Sequence, residues 1–226
     1  MKTGGYIDCQ TCLPRRYNVF CELNSTELAY LNEYKITRTY KKHEIIFREG
    51  DMPSHLFCTF SGLVKVYKTT SSGREQLVRL SHGSDLLGYR AFFSGERYSA
   101  TAQAVAETTV CIISREGFNL FLEKSPSFAQ KFLKQICIEL RETEQRLVDF
   151  IDKSVEERLA YFLALFFKKN KSQHCDLLLT REEIASLIGA RPETVIRVFS
   201  SWKKKGLIDI KAKSLKVLNH SFLIHS

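Results

Sequence analysis

No stretch of about 18 apolar residues occurs in this 226-residue chain, which argues against a membrane-spanning helix. The start, Met1-Lys2-Thr3-Gly4-Gly5-Tyr6, lacks the apolar segment of a signal peptide, so the expected setting is the cytoplasm. There is no Walker loop, no nucleophile elbow and no pair of carboxylates at acid/base spacing. His43, His55, His82, His174, His220 and His225 have no catalytic partner by spacing, and His43 and His55 read as turn or surface residues. These absences point away from an enzyme. Low-complexity segments and internal repeats are also missing. The seven cysteines are odd in number, which argues against a disulfide framework and leaves free thiols, metal ligands or small buried hydrophobes.

What is present is concentrated at the C-terminal end. Residues 1–152 carry 20 Lys/Arg against 18 Asp/Glu, whereas 153–226 carry 14 against 7, a net of +7 on about a third of the chain. A local basic excess attracts polyanions through counterion release. Within it, Leu179-Thr180-Arg181-Glu182-Glu183-Ile184-Ala185-Ser186-Leu187-Ile188-Gly189-Ala190-Arg191-Pro192-Glu193-Thr194-Val195-Ile196-Arg197 reads as two short helices around a tight turn. That is a helix-turn-helix, whose second helix enters the DNA major groove with its N-terminal residues. Glu193 and Arg197 stand four apart on one face: Arg can donate twice to guanine, and Glu can accept from cytosine while holding the Arg. Ile196 is open to two roles, contact with a thymine methyl or packing on the neighbouring helix. Thr180, Arg181, Arg191, Thr194, Ser200 and Lys203 are candidates for phosphate contacts. Trp202 reads as core.

Upstream, a short helix is expected from Ser25, as cap, to Tyr34, with Leu28 and Leu31 on its apolar side. Residues 36–115 then change to short β-rich segments separated by Gly-containing turns, the pattern of a sandwich or barrel. After Ser125-Pro126 a helix without breakers runs to about Asp152. Its Leu133, Ile136, Leu140, Thr143, Leu147 and Phe150 repeat at three- and four-residue steps, the seam of a coiled-coil dimer. An amphipathic helix packed on its own domain would give the same spacing. A second apolar helix covers Val155–Phe167, followed by a polar break at 168–173. Beyond the helix-turn-helix, a Gly206 cap precedes a hairpin wing through Ile208–Ile210 and Leu215–Leu218.

Taken in order, His43-Glu44-Ile45-Ile46-Phe47-Arg48-Glu49-Gly50-Asp51, Phe60-Ser61-Gly62-Leu63-Val64-Lys65-Val66, Gly83-Ser84-Asp85-Leu86-Leu87-Gly88, Glu156-Glu157-Arg158-Leu159-Ala160 and Pro192-Glu193-Thr194-Val195-Ile196-Arg197 resemble the Crp/Fnr family of bacterial transcription regulators over nearly the whole chain. The resemblance implies an α+β architecture: a cyclic-nucleotide-binding-like β-roll (jelly roll) over 1–124, a dimerisation helix over 125–152, and a winged helix-turn-helix over 153–226. It implies a homodimer on a palindromic, TTG-type operator in double-stranded DNA, with RNA polymerase as a further partner. Pro192 and Ile196 depart from the Arg and Ser found in two branches of the family, so the outer bases stay unassigned.

The resemblance also frames the signal. Cyclic-nucleotide members hold ribose and phosphate with Gly-Glu-Leu/Ile and Arg-Ser/Thr. Here Gly88, Tyr89, Arg90, Arg97, Tyr98 and Ser99 occupy that stretch, with Tyr89 in the Glu place and Tyr98 in the Arg place. Charge-assisted bonds are about twice as strong as neutral ones, so the loss of that Arg speaks against cyclic AMP. The oxygen-sensing branch instead uses four thiolates for a [4Fe–4S] cluster. Cys9, Cys12, Cys21 and Cys111 resemble that set, although Cys21 stands three residues beyond the family spacing, at which Asn18 is found. Cys9 and Cys12 also fit a redox pair or half a zinc site, and Cys58, Cys137 and Cys175 read as structural. A regulator without a small ligand is the third option.

Overall fold

The computed structural model describes residues 7–170, 174–211, 214–219 and 223; His220 and His225, and the side chains of His174 and Cys175, lie outside them. The chain parts into two compact units, Met1–Leu140 and Arg141–Ser226, and the division falls inside the longest helix.

The first unit opens with a 3-10 turn, Pro14–Tyr17, and helix α1, Ser25–Glu33. The cap of α1 is Asn24 and not Ser25: its side chain accepts from the Glu27 amide, and Glu27 reaches back to the Asn24 amide. Strands β1 (Lys35–Tyr40), β2 (Ile45–Phe47), β3 (His55–Ser61), β4 (Val64–Thr69), β5 (Glu75–Ser81), β6 (Leu86–Leu87), β7 (Thr101–Ala104) and β8 (Thr108–Ser114) form two antiparallel four-stranded sheets, ordered β1-β8-β3-β6 and β2-β7-β4-β5. Helix α2 (Tyr89–Ser94) interrupts the strands between β6 and β7, and α3 (Arg115–Lys124) follows β8. Strand β4 buries four consecutive residues, Val64 to Tyr67, a charged lysine among them. Lys65 tolerates this because its ammonium pairs with Glu75 at 2.8 Å and lies over the Tyr67 ring. Gly62 makes the β3–β4 turn at φ +93°, where a Cβ would meet the Thr108 hydroxyl and backbone.

One side of the roll is closed by aromatic rings. Phe20 stacks on Phe128 at 5.3 Å; Phe118 and Phe121 meet Phe128 edge-on, and Phe132 stacks on it. Phe128 and Phe132 belong to α4, Pro126–Asp152.

The second unit contains the end of α4, then α5 (Val155–Asn170), β9 (His174–Asp176), α6 (Arg181–Leu187), α7 (Pro192–Lys204), β10 (Ile208–Lys211) and β11 (Ser214–Val217). Helix α5 runs three residues past the expected Phe167, since Lys168, Lys169 and Asn170 contain no breaker. The wing is also larger than the expected hairpin, because β9 pairs with β11 to make a three-stranded sheet, β10-β11-β9.

The junction of α4, α5 and the α6–α7 turn is held by one side chain. Arg158 donates to the carbonyls of Phe150 (3.2 Å), Lys153 (2.6 Å), Ile188 (2.9 Å) and Gly189 (3.2 Å), and its guanidinium lies over the Phe150 ring. Ser154 and Glu157 complete the junction as a reciprocal cap for α5. Replacing Arg158 with Met should leave two part-buried carbonyls, those of Lys153 and Ile188, unpaired and destabilise this unit by about 2–4 kcal/mol, given about 1–3 kcal/mol for each orphaned group that water does not reach. Denaturant unfolding followed through Trp202 fluorescence measures it; an unchanged midpoint would remove Arg158 from this role.

Candidate nucleic-acid interface and sensor sites

Helix α6 is started by Thr180, whose hydroxyl oxygen accepts from the Glu183 amide while Glu183 returns to the Thr180 amide. The turn then reverses at Gly189, φ +62°, and the Ala190 amide closes it on the Ala185 carbonyl at 2.9 Å. Pro192 opens α7 in the position where its missing N–H costs nothing. From there the helix has two faces. Val195, Val198, Phe199 and Trp202 are buried at steps of three, one and three, and the Trp202 indole donates to Glu156 at 2.6 Å. Glu193, Ile196, Arg197, Ser200 and Lys203 are exposed on the other face, and Ile196 is 49% exposed and turned away from the core.

The expected contact residues differ in what they have left to offer. Among the described residues, the side chains of Glu193, Arg197 and Arg191 enter no hydrogen bond or ion pair, so Glu193 does not hold Arg197 here. Thr180 is engaged on both sides, its oxygen accepting from the Glu183 amide and its hydroxyl bonding the Glu182 carboxylate. Ser200 has committed its proton to the Ile196 carbonyl at 2.9 Å. Arg181 is half-buried with its guanidinium 4.4 Å from the centre of the Phe199 ring. Lys203 reaches the wing, donating to the Ile210 carbonyl at 3.1 Å and lying 3.9 Å from Asp209. Thr194 is half-buried at the start of α7. The link from Lys203 to the wing had no local sequence signal.

In the β-roll, the stretch expected to meet an effector is occupied by its own side chains. Tyr98 is buried, stacks on Phe47 at 4.2 Å, and donates to the His55 carbonyl at 3.0 Å. Burial pushes the Tyr98 phenol up to about 12. Gly88, at φ +81°, lets the chain pass within 3.2 Å of the Tyr98 ring at the point where a Cβ would sit. Tyr89 is buried and donates to Glu139, and Arg97 donates to the Gly50 carbonyl at 2.8 Å. Arg90 and Ser99 are exposed.

The thiols group differently from the expected set. Cys58 lies directly across the β3–β8 pair from Cys111, and Cys9 and Cys58 pack on the same core. Burial pushes the Cys9 thiol up to about 11, with Cys111 and Cys12 adding to the rise and Lys35 opposing it. Cys58 is pushed well above the ordinary thiol value by burial first, then by Cys111, Cys12 and Cys9. Cys21 is exposed and lines a cavity together with Tyr89 and Glu139, and Cys137, expected as structural, is exposed on α4. Among the described residues, no three His, Cys, Asp or Glu side chains are placed to hold a metal ion. Three of the four expected ligands therefore share a neighbourhood, but the set is not closed.

The seam residues also divide. Leu133, Leu140 and Leu147 are 62%, 58% and 60% exposed, Thr143 is exposed, and Ile136 is half-buried against the aromatic core. Phe150 lies against Gly189 in the second unit.

Comparison with known proteins agrees with this architecture. Residues 37–125 match the cyclic nucleotide-binding domain family, and residues 157–225 match the Crp-like helix-turn-helix domain family. The transcriptional activator protein Anr of Pseudomonas aeruginosa is 32% identical over 80% of this chain and 76% of its own length. The transcriptional activator protein FnrA of Stutzerimonas stutzeri is 30% identical over 92% of this chain and 85% of its own. The structure of FixK2 from Bradyrhizobium japonicum superposes with a TM-score of 0.77 at 24% identity, covering 84% of this chain and 96% of that one, a likeness of fold. No helix among the described residues is long and apolar enough to cross a membrane. A β-roll followed by a winged helix-turn-helix whose second helix keeps a polar, basic face outward, in a sequence with these relatives, makes the chain a member of the Crp/Fnr family of DNA-binding transcription regulators.

Proposed function

We propose that this regulator acts in the cytoplasm by binding rather than catalysis, as a homodimer joined along Leu133, Ile136, Leu140, Thr143, Leu147 and Phe150. Two α7 helices one DNA turn apart, roughly 34 Å, then read a palindrome with TTG-type half-sites. RNA polymerase is the partner through which such a bound dimer acts on transcription. The observation that carries the reading is the outward face of α7, where Arg197 and Glu193 stand exposed and uncommitted to any described side chain. Arg197 reads a guanine, Glu193 accepts from the paired cytosine, and Ile196 meets a neighbouring methyl group. Arg191, Thr194 and Arg181 neutralise or bond phosphates; Thr180 and Ser200 contribute less directly, because their hydroxyls are engaged inside the protein, and the Lys203 ammonium is drawn toward the wing.

A gel-shift series on palindromic and scrambled DNA tests this. Arg197→Ala should lose about 1–3 kcal/mol of discrimination at one guanine position. Arg191→Ala should weaken all sequences alike and lower the salt dependence by about one counterion. Equal binding of both probes by the wild-type protein would reject sequence-specific recognition by this helix.

For the signal, the inward Tyr98 ring and the absence of an arginine in its place favour a regulator that does not use cyclic AMP. Saturating cyclic AMP should leave both the melting temperature and the operator affinity unchanged, and a stabilisation of several degrees would overturn this.

A second reading is favoured by the shared neighbourhood of Cys9, Cys12 and Cys111. With Cys21 as fourth ligand, these thiols would hold a [4Fe–4S] cluster, which supplies sensitivity to oxygen. Anaerobic purification should then give a brown protein with about four iron and four sulfide per chain. Cys21→Ser should lose that iron and Cys58→Ser should retain it; the reverse would move the fourth ligand to Cys58, and an iron-free wild-type protein would end this reading.

A further inference from the structure

Within the first unit, α4 presents two adjacent rows of side chains. Phe132 and Glu139, seven residues apart, share one row, and both touch the β-roll: the Phe132 ring meets Tyr89 edge-on at 5.5 Å, and Glu139 accepts from Tyr89 and Arg79. Leu133 and Leu140 are the next residues round, about 100° away at 3.6 residues per turn, and both are exposed. The rotation of the helix about its own axis is therefore tied to what the first row holds.

Glu139 is the polar end of that row and stands one residue before the division between the two units. Arg79 of β5 donates to its carboxylate at 3.1 Å and to the Tyr89 hydroxyl at 3.4 Å; Arg90 also reaches that hydroxyl at 3.4 Å. Tyr89 is the first residue of α2, placed by the left-handed Gly88, and its phenol is held protonated by burial and by the bond to Glu139. The cluster is partly buried, with the Arg79 and Glu139 side chains 23% and 20% exposed. It borders a cavity of about 460 Å³ also lined by Asn18, Lys131 and Lys134. A carboxylate released from the cluster would thus find Asn18, Lys131 and Lys134 on the wall of that cavity.

We propose that Arg79, Tyr89 and Glu139 form a positioning latch that fixes the rotation of α4 and so decides whether Leu133, Leu140 and Leu147 are presented together to a second copy of the chain. The latch couples the β-roll to dimerisation at the very position where a nucleotide-binding relative would engage its ligand. It rests on the dimer reading of α4, and the test separates the two.

Sedimentation of the full chain over a concentration series gives the dimer dissociation constant. Tyr89→Phe keeps the ring on Phe132 and removes only the hydroxyl; Glu139→Gln keeps an acceptor and removes the charge. Each should raise the dissociation constant by about 5-fold or more, the lower end of typical coupling between sites. The double variant should be no worse than the weaker single, because both break one unit. Gln103→Ala, which removes a hydrogen bond to the His43 carbonyl elsewhere on the roll, should leave dimerisation unchanged. A dimeric wild type whose two single variants stay within about twofold, or whose effects simply add, would overturn the latch. A monomeric wild type would overturn the dimer reading and the latch with it.

Discussion

The guanidinium of Arg158 sits where α4 ends, α5 begins and the turn before α7 passes, and it satisfies carbonyls of the last turn of α4, of the link to α5 and of that turn. Backbone groups at a helix end and in a tight turn have no partners of their own and must find them elsewhere. A planar, permanently charged fork can serve several at fixed angles, which an ammonium cannot. Through Arg158 the turn that precedes α7 is tied to the last turn of α4. Phe150 reinforces the same joint from the other side, since its ring fills the space that only a glycine at 189 leaves open. The pose of α7 is therefore inherited from the helix that would form the dimer.

That inheritance gives meaning to the two faces of α7. Its buried stripe, Val195, Val198, Phe199 and Trp202, anchors the helix, with the indole held by Glu156 from α5. The exposed stripe can then remain chemically unsatisfied, and a polar group without an internal partner keeps its full donor capacity for DNA. Lys203 and Ser200 show the opposite condition: both face outward, yet one braces the wing and the other turns back on its own helix. Position on the outer face does not by itself free a donor: Ser200 has spent its one proton, whereas the Lys203 ammonium keeps N–H groups and its charge beyond the bond to Ile210.

Much of this was legible in the chain. The reciprocal caps at Thr180–Glu183 and Ser154–Glu157 announce helix starts because an oxygen three residues before a carboxylate answers two orphan amides at once. The cap of α1 lies one residue before the expected Ser25, since Asn24 and Ser25 are both good caps and only the position of Glu27 decides between them. Strand β9 left no signal: it is three residues long and its partner β11 lies about 40 residues on. In the thiol set, Cys111 and the pair Cys9 and Cys12 were identified from resemblance, but the approach of Cys58 depends on the β3–β8 register, which residue spacing does not reveal. The substitution of Tyr98 was visible; that its ring turns inward onto Phe47 was not, because rotamer and stacking are decided by the surrounding roll.

The same inward ring constrains how a signal can be received. Phe47, Phe57 and Tyr98 already fill the space between β2, β3 and α2, and the Tyr98 hydroxyl serves the His55 carbonyl. A ligand entering there would have to displace close-packed aromatic surface and leave that carbonyl to be satisfied anew, both unfavourable. The outer side of Tyr89 is different in kind, since its phenol ends in a charged cluster beside a cavity. Close-packed interiors do not deform gradually, whereas the hydrogen bonds of the Tyr89 cluster border a cavity and join the roll to α4. The β-roll therefore keeps its interior as a fixed scaffold and places its capacity to switch on the surface that meets α4.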